Sequence, residues 1–177
     1  AGLTPDQAQK IIGPDVAPRI ALGLWIAALR ELFEEAGVLL VLDASDARVV
    51  ADTGIKKRLT EKHSRLIDSS LSFQSVLESE GLFCDLGALA HFSHWQIPEQ
   101  VSMRFDAHFF LAQLPADQSP LAKSSEVVHS LWVTPDRALQ MITKNELPMI
   151  FPTFASLRTL ADYETLESVW KEFQARS

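Results

Sequence analysis

The sequence predicts an α/β domain with a mixed sheet, and three observations carry that prediction. Residues 22–36 repeat apolar positions at the helical period. Residues 104–111 alternate apolar and polar at the strand period. Helical and strand segments are interleaved along the chain rather than segregated into halves. The 177 residues fit a single domain spanning 1–177. A chain of this length buries about two-thirds of its unfolded surface without covalent staples.

Thr4-Pro5-Asp6-Gln7 combines an N-cap residue with proline at the first helical position, and Gly13-Pro14 stops the short helix that follows. In the next helix Leu22, Trp25, Ile26, Leu29, Leu32, Phe33 and Ala36 share one face, and Gly37 is placed to end it. Residues 38–42 are an apolar run, read as a strand or a buried turn into one. Residues 52–80 read as one or two polar amphipathic helices, with Leu59, Leu66, Ile67, Leu71, Val76 and Leu77 on their apolar sides. Lys56-Lys57-Arg58 reads as a solvated face there.

Strand signals follow at 86–95, 104–111 and 126–133. In the second, Phe105, Ala107, Phe109 and Leu111 lie on one side, with Arg104 and Asp106 on the other. Residues 114–125 are a Pro-, Ser- and Ala-rich loop. Thr134-Pro135-Asp136 opens a helix reaching about Lys144. Pro148 and Pro152 mark a connection, and one final helix uses Leu157, Leu160, Leu166, Val169, Trp170 and Phe173. Trp95 and Trp132 read as core residues rather than a base-stacking platform.

The formal net charge of −7 argues against nucleic acid or an anionic membrane as the main partner. It leaves room for an anionic small-molecule substrate, because a bound metal inverts the local field. No apolar run reaches the ~20 residues of a membrane span, and no signal-peptide pattern opens the chain. Cys84 is the single cysteine, so it forms no internal disulfide and reads as a small buried hydrophobe in a reducing compartment. A cytoplasmic location is the resulting expectation.

Glu31, Glu34 and Glu35 stand at i, i+3 and i+4 and fall within about 100° of one another around the helix. Like charges so placed cost a few tenths of a kcal/mol per pair. A solvated acidic face is one reading of them. A metal site is the other, since hard cations such as Mg²⁺ prefer oxygen ligands and leave positions for phosphate oxygens. Arg30 is placed to orient these carboxylates through charge-assisted hydrogen bonds.

The string Arg30-Glu31-Leu32-Phe33-Glu34-Glu35-Ala36-Gly37-Val38 resembles the second half of the Nudix box, Arg-Glu-apolar-x-Glu-Glu-x-Gly-apolar, at every fixed position. The first half departs from it: the expected Glu and Gly fall on Leu22 and Val16. Downstream segments resemble the branch that includes the peroxisomal coenzyme A diphosphatase and its bacterial relatives. They are Gly81-Leu82 with Asp85-Leu86-Gly87-Ala88-Leu89, His94-Trp95-Gln96-Ile97-Pro98, Arg104-Phe105-Asp106-Ala107-His108-Phe109-Phe110-Leu111-Ala112, Trp132-Val133-Thr134-Pro135, and Leu147-Pro148 with Pro152-Thr153. In that branch an insertion separates the Pro-Gly-Gly of the box from its Arg-Glu part.

The resemblance implies a Nudix fold, a mixed β-sheet sandwiched between α-helices, with 52–80 as an extra helical insertion. The family's N-terminal strands and Pro-Gly-Gly are expected upstream of Ala1. It implies a diphosphatase in which Mg²⁺ or Mn²⁺ on Glu31, Glu34 and Glu35 activates water, with Arg30 beside them. Coenzyme A or acyl-coenzyme A is the expected substrate, giving 3′,5′-ADP and a phosphopantetheine moiety. A dinucleotide or ADP-ribose is the alternative substrate, and a non-catalytic binding module the alternative function. Glu126 is the candidate general base, with Glu78 and Glu80 behind it. Arg104 and Asp106 either contact substrate or pair with each other. His91 and His94 have a metal-compatible spacing but no third ligand nearby in sequence. The polar helices of 52–80 offer a homodimer surface.

Overall fold

A computed structural model describes residues 2–49, 53–96, 106–121 and 130–175. The chain divides into two compact units. One is built from Ala1–Leu89 and Ala112–Ser130, the other from Ala90–Leu111 and Leu131–Ser177.

The first unit opens with α1 (Pro5–Ile12), where Thr4 and Gln7 form a reciprocal capping box. It packs on α2 (Pro18–Ala36). Ala8 and Ala21 are fully buried, and their small side chains allow the two backbones to approach. The buried stripe of α2 is Ala21, Trp25, Leu29 and Phe33, narrower than the periodicity suggests. Ile26, expected on that face, is 40% exposed. Each large buried side chain contributes about 1.5–3 kcal/mol, so Trp25, Leu29 and Phe33 set the rotation of the helix.

Residues 38–42 are buried throughout, but only β1 (Val41–Leu42) forms a ladder, antiparallel with β2 (Phe83–Cys84). The backbone before it finds other partners, as buried amides must. The Gln118 side chain accepts from the Leu39 amide at 2.9 Å and donates to the Leu39 carbonyl at 2.7 Å, acting as a one-residue strand neighbour. The Leu40 carbonyl accepts from Asp85.

Residues 53–80 form two helices, α3 (Thr53–Ile67) and α4 (Phe73–Glu80), as the pattern predicts. Glu80 ties them together. Its carboxylate, only 9% exposed, accepts two hydrogen bonds from Arg58 Nε and one from Arg58 Nη2 at 3.0–3.1 Å, and Lys62 reaches it from one turn on. These bonds, Arg58's first, hold its carboxyl below the usual glutamate value.

A 3₁₀ turn (Leu86–Ala88) replaces the expected start of the next strand. β3 (Leu89–Gln96) then pairs with β4 (Asp106–Ala112). In the second unit Phe92 of β3 lies 4.7 Å, ring to ring, from Phe173, which is buried. The helices there are α5 (Pro135–Thr143), capped by Thr134 as expected, α6 (Phe151–Leu160) and α7 (Leu166–Gln174).

Three expectations are corrected in this unit. The single final helix is two, because Thr165 caps a new start after the turn at 161–165. Pro152 lies inside the first turn of α6, where its missing N–H costs nothing. Trp132 is 79% exposed rather than core. The third strand, 126–133, falls partly outside the described residues, and its described part, 130–133, is not strand.

The Glu80 clamp yields a prediction. Glu80→Gln should lower stability by about 1–2 kcal/mol in urea unfolding at pH 7, because one carboxylate serves two cations. A carboxyl with a depressed folded value contributes stability above its unfolded pKa and loses it as pH falls through the folded value. The gap between wild type and Glu80→Gln should therefore start to narrow near the ordinary glutamate value of about 4.3 and close only below the depressed folded value.

Candidate functional site

The carboxylate face of α2 points away from the Trp25–Leu29–Phe33 stripe. Arg30, Glu31 and Glu35 are exposed and Glu34 is half-buried. The Arg30 guanidinium donates from Nη2 to Glu31 Oε1, and its Nε lies 3.7 Å from Glu34 Oε1. The bond to Glu31, outweighing the opposing effect of burial, raises the guanidinium above its ordinary value. Arg30 thus offsets part of the repulsion between two of the three glutamates. Glu31, Glu34 and Glu35 share this face and carry the oxygen donors a hard cation prefers, but among the described residues their carboxylates are not gathered into a metal-ready group.

The C-terminal end of this helix is tightly specified. The Phe33 carbonyl accepts from the Gly37 amide at 2.9 Å. The Glu34 carbonyl accepts from His63 Nε2 of α3 at 2.9 Å, which fixes the proton on that nitrogen. The Ala36 carbonyl accepts from Leu121 at 2.8 Å. The His63 ring also meets Phe33 edge-on at 5.2 Å. Gly37 adopts φ 66°, and a Cβ there would sit 2.7 Å from Leu121 Cγ. Both conformation and space therefore demand glycine. Beside this end lies a mostly apolar cavity of about 280 Å³, whose walls include Phe33, Val49, Ile55, Leu59, Leu82 and Leu121.

The candidate bases behind Glu126 are committed elsewhere: Glu80 to Arg58 and Lys62, and Glu78 to Gln74. Glu126 and Arg104 lie outside the described residues. Asp106 pairs with His94 and Gln96: His94 Nε2 stands 2.5 Å from Asp106 Oδ1, and Gln96 donates to Oδ2 at 3.3 Å. The bond from His94 is the main reason the Asp106 carboxyl lies below its ordinary value. Cys84 is half-buried, and burial pushes its thiol up, away from nucleophilic reactivity.

The second unit holds a cluster that the sequence pattern only half exposes. His94, Asp106 and His108 bring one potential ligand atom each to within 4.8 Å of one another, a group compatible with a divalent metal. The His94 and His108 rings stack at 3.9 Å, and His91 Nε2 lies 3.1 Å from His108 Nδ1. Burial, reinforced by His108 and His94, pushes His91 down to about 4. Thus β4 supplies two members of the group, Asp106 and His108, which join His94, while His91 meets His108 from outside it. The overlooked signal was Asp106-x-His108, two residues apart on an alternating strand and hence on one face.

The chain matches the family model described as the NUDT19 Nudix domain over residues 5–160. It is 29% identical over 153 residues to the acyl-coenzyme A diphosphatase NUDT19 of Homo sapiens, covering 82% of this chain and 41% of that protein. It is 27% identical over 163 residues to the protein of the same name from Xenopus laevis, covering 86% and 43%. The chain therefore spans about two-fifths of the length of these curated relatives. A crystal structure of a Nudix hydrolase from Alicyclobacillus acidocaldarius superposes with a TM-score of 0.67 at 26% identity, covering 97% of this chain and 78% of that one.

The helix end makes a direct prediction. Gly37→Ala should destabilise the chain by about 1–2 kcal/mol from its left-handed backbone alone, and by more once Leu121 must move. Urea unfolding monitored by circular dichroism measures it, and an unchanged midpoint would contradict the assigned role of Gly37.

Proposed function

Because the chain belongs to the NUDT19 Nudix domain family, within the Nudix hydrolase superfamily, we propose that it hydrolyses a diphosphate linkage with the help of a divalent metal. The observation that carries the reading is the carboxylate face of α2: Glu31, Glu34 and Glu35 beside Arg30, on a helix whose end is pinned by Gly37, His63 and Leu121. Glu31, Glu34 and Glu35 are the residues proposed to hold Mg²⁺ or Mn²⁺. Such an ion supplies charge neutralisation at the phosphate oxygens and a bound water of lowered pKa.

The protein's own part is placement. Buried Trp25, Leu29 and Phe33 fix which way the glutamates face. Arg30 restrains Glu31 and Glu34, so that fewer rotamers must be ordered when substrate arrives. Glu126 is proposed as general base and Arg104 as a substrate contact; Asp106, expected from the sequence as a second contact, is held by His94 and Gln96.

Coenzyme A or acyl-coenzyme A is the proposed substrate, supported by the similarity to the acyl-coenzyme A diphosphatases of Homo sapiens and Xenopus laevis. The apolar cavity beside the helix end is suited to the long, weakly polar arm of such a molecule.

The test is hydrolysis of coenzyme A and an acyl-coenzyme A with Mg²⁺ or Mn²⁺, followed by chromatography, beside a Glu34→Gln, Glu35→Gln double variant. Release of 3′,5′-ADP by the wild type, reduced about 100-fold or more in the variant, is the expected outcome. Cleavage of ADP-ribose or a dinucleotide in place of coenzyme A would move the substrate and keep the mechanism. No metal-dependent cleavage of any of them would overturn the enzyme reading in favour of a binding module.

A further inference from the structure

We propose that His94, Asp106 and His108 form a site for a nitrogen-preferring divalent cation of the Zn²⁺ class, with His91 as the residue that positions His108. The site uses none of the residues of the carboxylate face, and its donor chemistry differs. The α2 face offers oxygen alone, which suits Mg²⁺ or Mn²⁺. The strand cluster offers two imidazole nitrogens and one carboxylate oxygen. Imidazole suits Zn²⁺ and its neighbours, and Mg²⁺ dehydrates too reluctantly to favour it.

The ligand atoms lie within reach of one such cation, although the rings must reorient to bind it. Zn²⁺ takes His nitrogen and carboxylate oxygen at about 2.0–2.2 Å, which sets tetrahedral ligand atoms about 3.3–3.5 Å apart. The three candidate atoms already lie within 4.8 Å of one another. His94 Nε2 and Asp106 Oδ1, at 2.5 Å, share a proton that the cation would replace, and they would separate by under about 1 Å. A metal lies in the plane of each imidazole that binds it, so the stacked rings of His94 and His108 must turn apart. His94 and Asp106 are exposed and have the room to do so.

His108 is the fixed member of the group. Its Nδ1 meets His91 Nε2 at 3.1 Å, so Nε2 is the nitrogen left for the cation. Metal-bound histidines commonly donate their other ring N–H to an acceptor that sets tautomer and orientation. His91, more buried than His94 and edge-on to Phe110 at 5.4 Å, is placed to be that acceptor. Three protein ligands leave one position for water or a phosphate oxygen.

The test is calorimetric titration of the whole EDTA-stripped chain with Zn²⁺ and, separately, with Mg²⁺. Co²⁺ absorption is recorded as a ligand-sensitive probe. His94→Ala, Asp106→Asn, His108→Ala and His91→Ala are compared with wild type and with the Glu34→Gln, Glu35→Gln variant, all checked for folding by circular dichroism. One tight Zn²⁺ equivalent is expected in wild type and in the double glutamine variant. Each ligand substitution should weaken it about 100-fold or more, and His91→Ala about 10–100-fold with the Co²⁺ spectrum shifted rather than lost. The site is overturned if His94→Ala and His108→Ala bind Zn²⁺ as wild type does, or if Mg²⁺ binds the cluster equally well. Unchanged affinity and spectrum in His91→Ala would remove its positioning role. Since binding is read without hydrolysis, this proposal and the diphosphatase reading fail separately.

Discussion

The end of α2 is the constraint on which the rest of the first unit depends. Three of the last four carbonyls of that helix have named partners: the Gly37 amide, the His63 ring and the Leu121 amide. Each comes from a different segment, so the last turn of α2, the face of α3 and the loop before 122 are fixed with respect to one another. Leu39, two residues past Gly37, is then held by Gln118 from the same loop. Gly37 permits this closure because only a residue without Cβ fits both φ 66° and the Leu121 side chain. A box glycine that looks like a sequence signature is, physically, the place where three segments converge.

Magnitudes explain why the helix tolerates its acidic face. The pairs Glu31–Glu34 and Glu31–Glu35 each cost a few tenths of a kcal/mol, and glutamates in the last turn oppose the helix dipole by roughly 0.3–1 kcal/mol each. Burial of Trp25, Leu29 and Phe33 contributes about 1.5–3 kcal/mol apiece. The apolar stripe therefore wins comfortably. Repulsion and dipole both favour positive charge at the same place, the solvent side of the last two turns. Arg30 meets part of that demand from within the helix, and a divalent cation on the three carboxylates would meet more of it.

Elements with strong local signals were legible in the sequence: the caps at Thr4 and Thr134, the stop at Gly37, the two helices of 53–80 and the strand at β4. What failed needed information from distant residues. Residues 38–40 look like a strand because they are buried, yet their backbone partners are a glutamine side chain and a turn. Glu80 looked available as a base until α3 placed Arg58 and Lys62 around it. Tryptophan composition favours burial, but Trp132 lies on the surface, where no local pattern could place it. In the candidate site, the carboxylate face was readable from one helix period. The histidine cluster was not, because its members come from two strands whose pairing brings His94 beside Asp106 and His108.

The two proposed donor sets differ in hardness, and that bears on how each would be filled. Affinity of a given site for divalent first-row cations generally rises from Mn²⁺ to Cu²⁺ and falls again at Zn²⁺, which still binds more tightly than Mn²⁺, so an exposed carboxylate face does not exclude Zn²⁺ by affinity alone. A nitrogen-bearing site elsewhere changes the competition. Zn²⁺ gains most from His94 and His108, whose imidazoles Mg²⁺ disfavours, and little from Glu31, Glu34 and Glu35 by comparison. With Zn²⁺ scarce and Mg²⁺ abundant, the first metal would settle on the strands and the second on the helix. Separation by ligand chemistry would then keep the carboxylates for a cation that retains several waters, which is the property diphosphate hydrolysis requires.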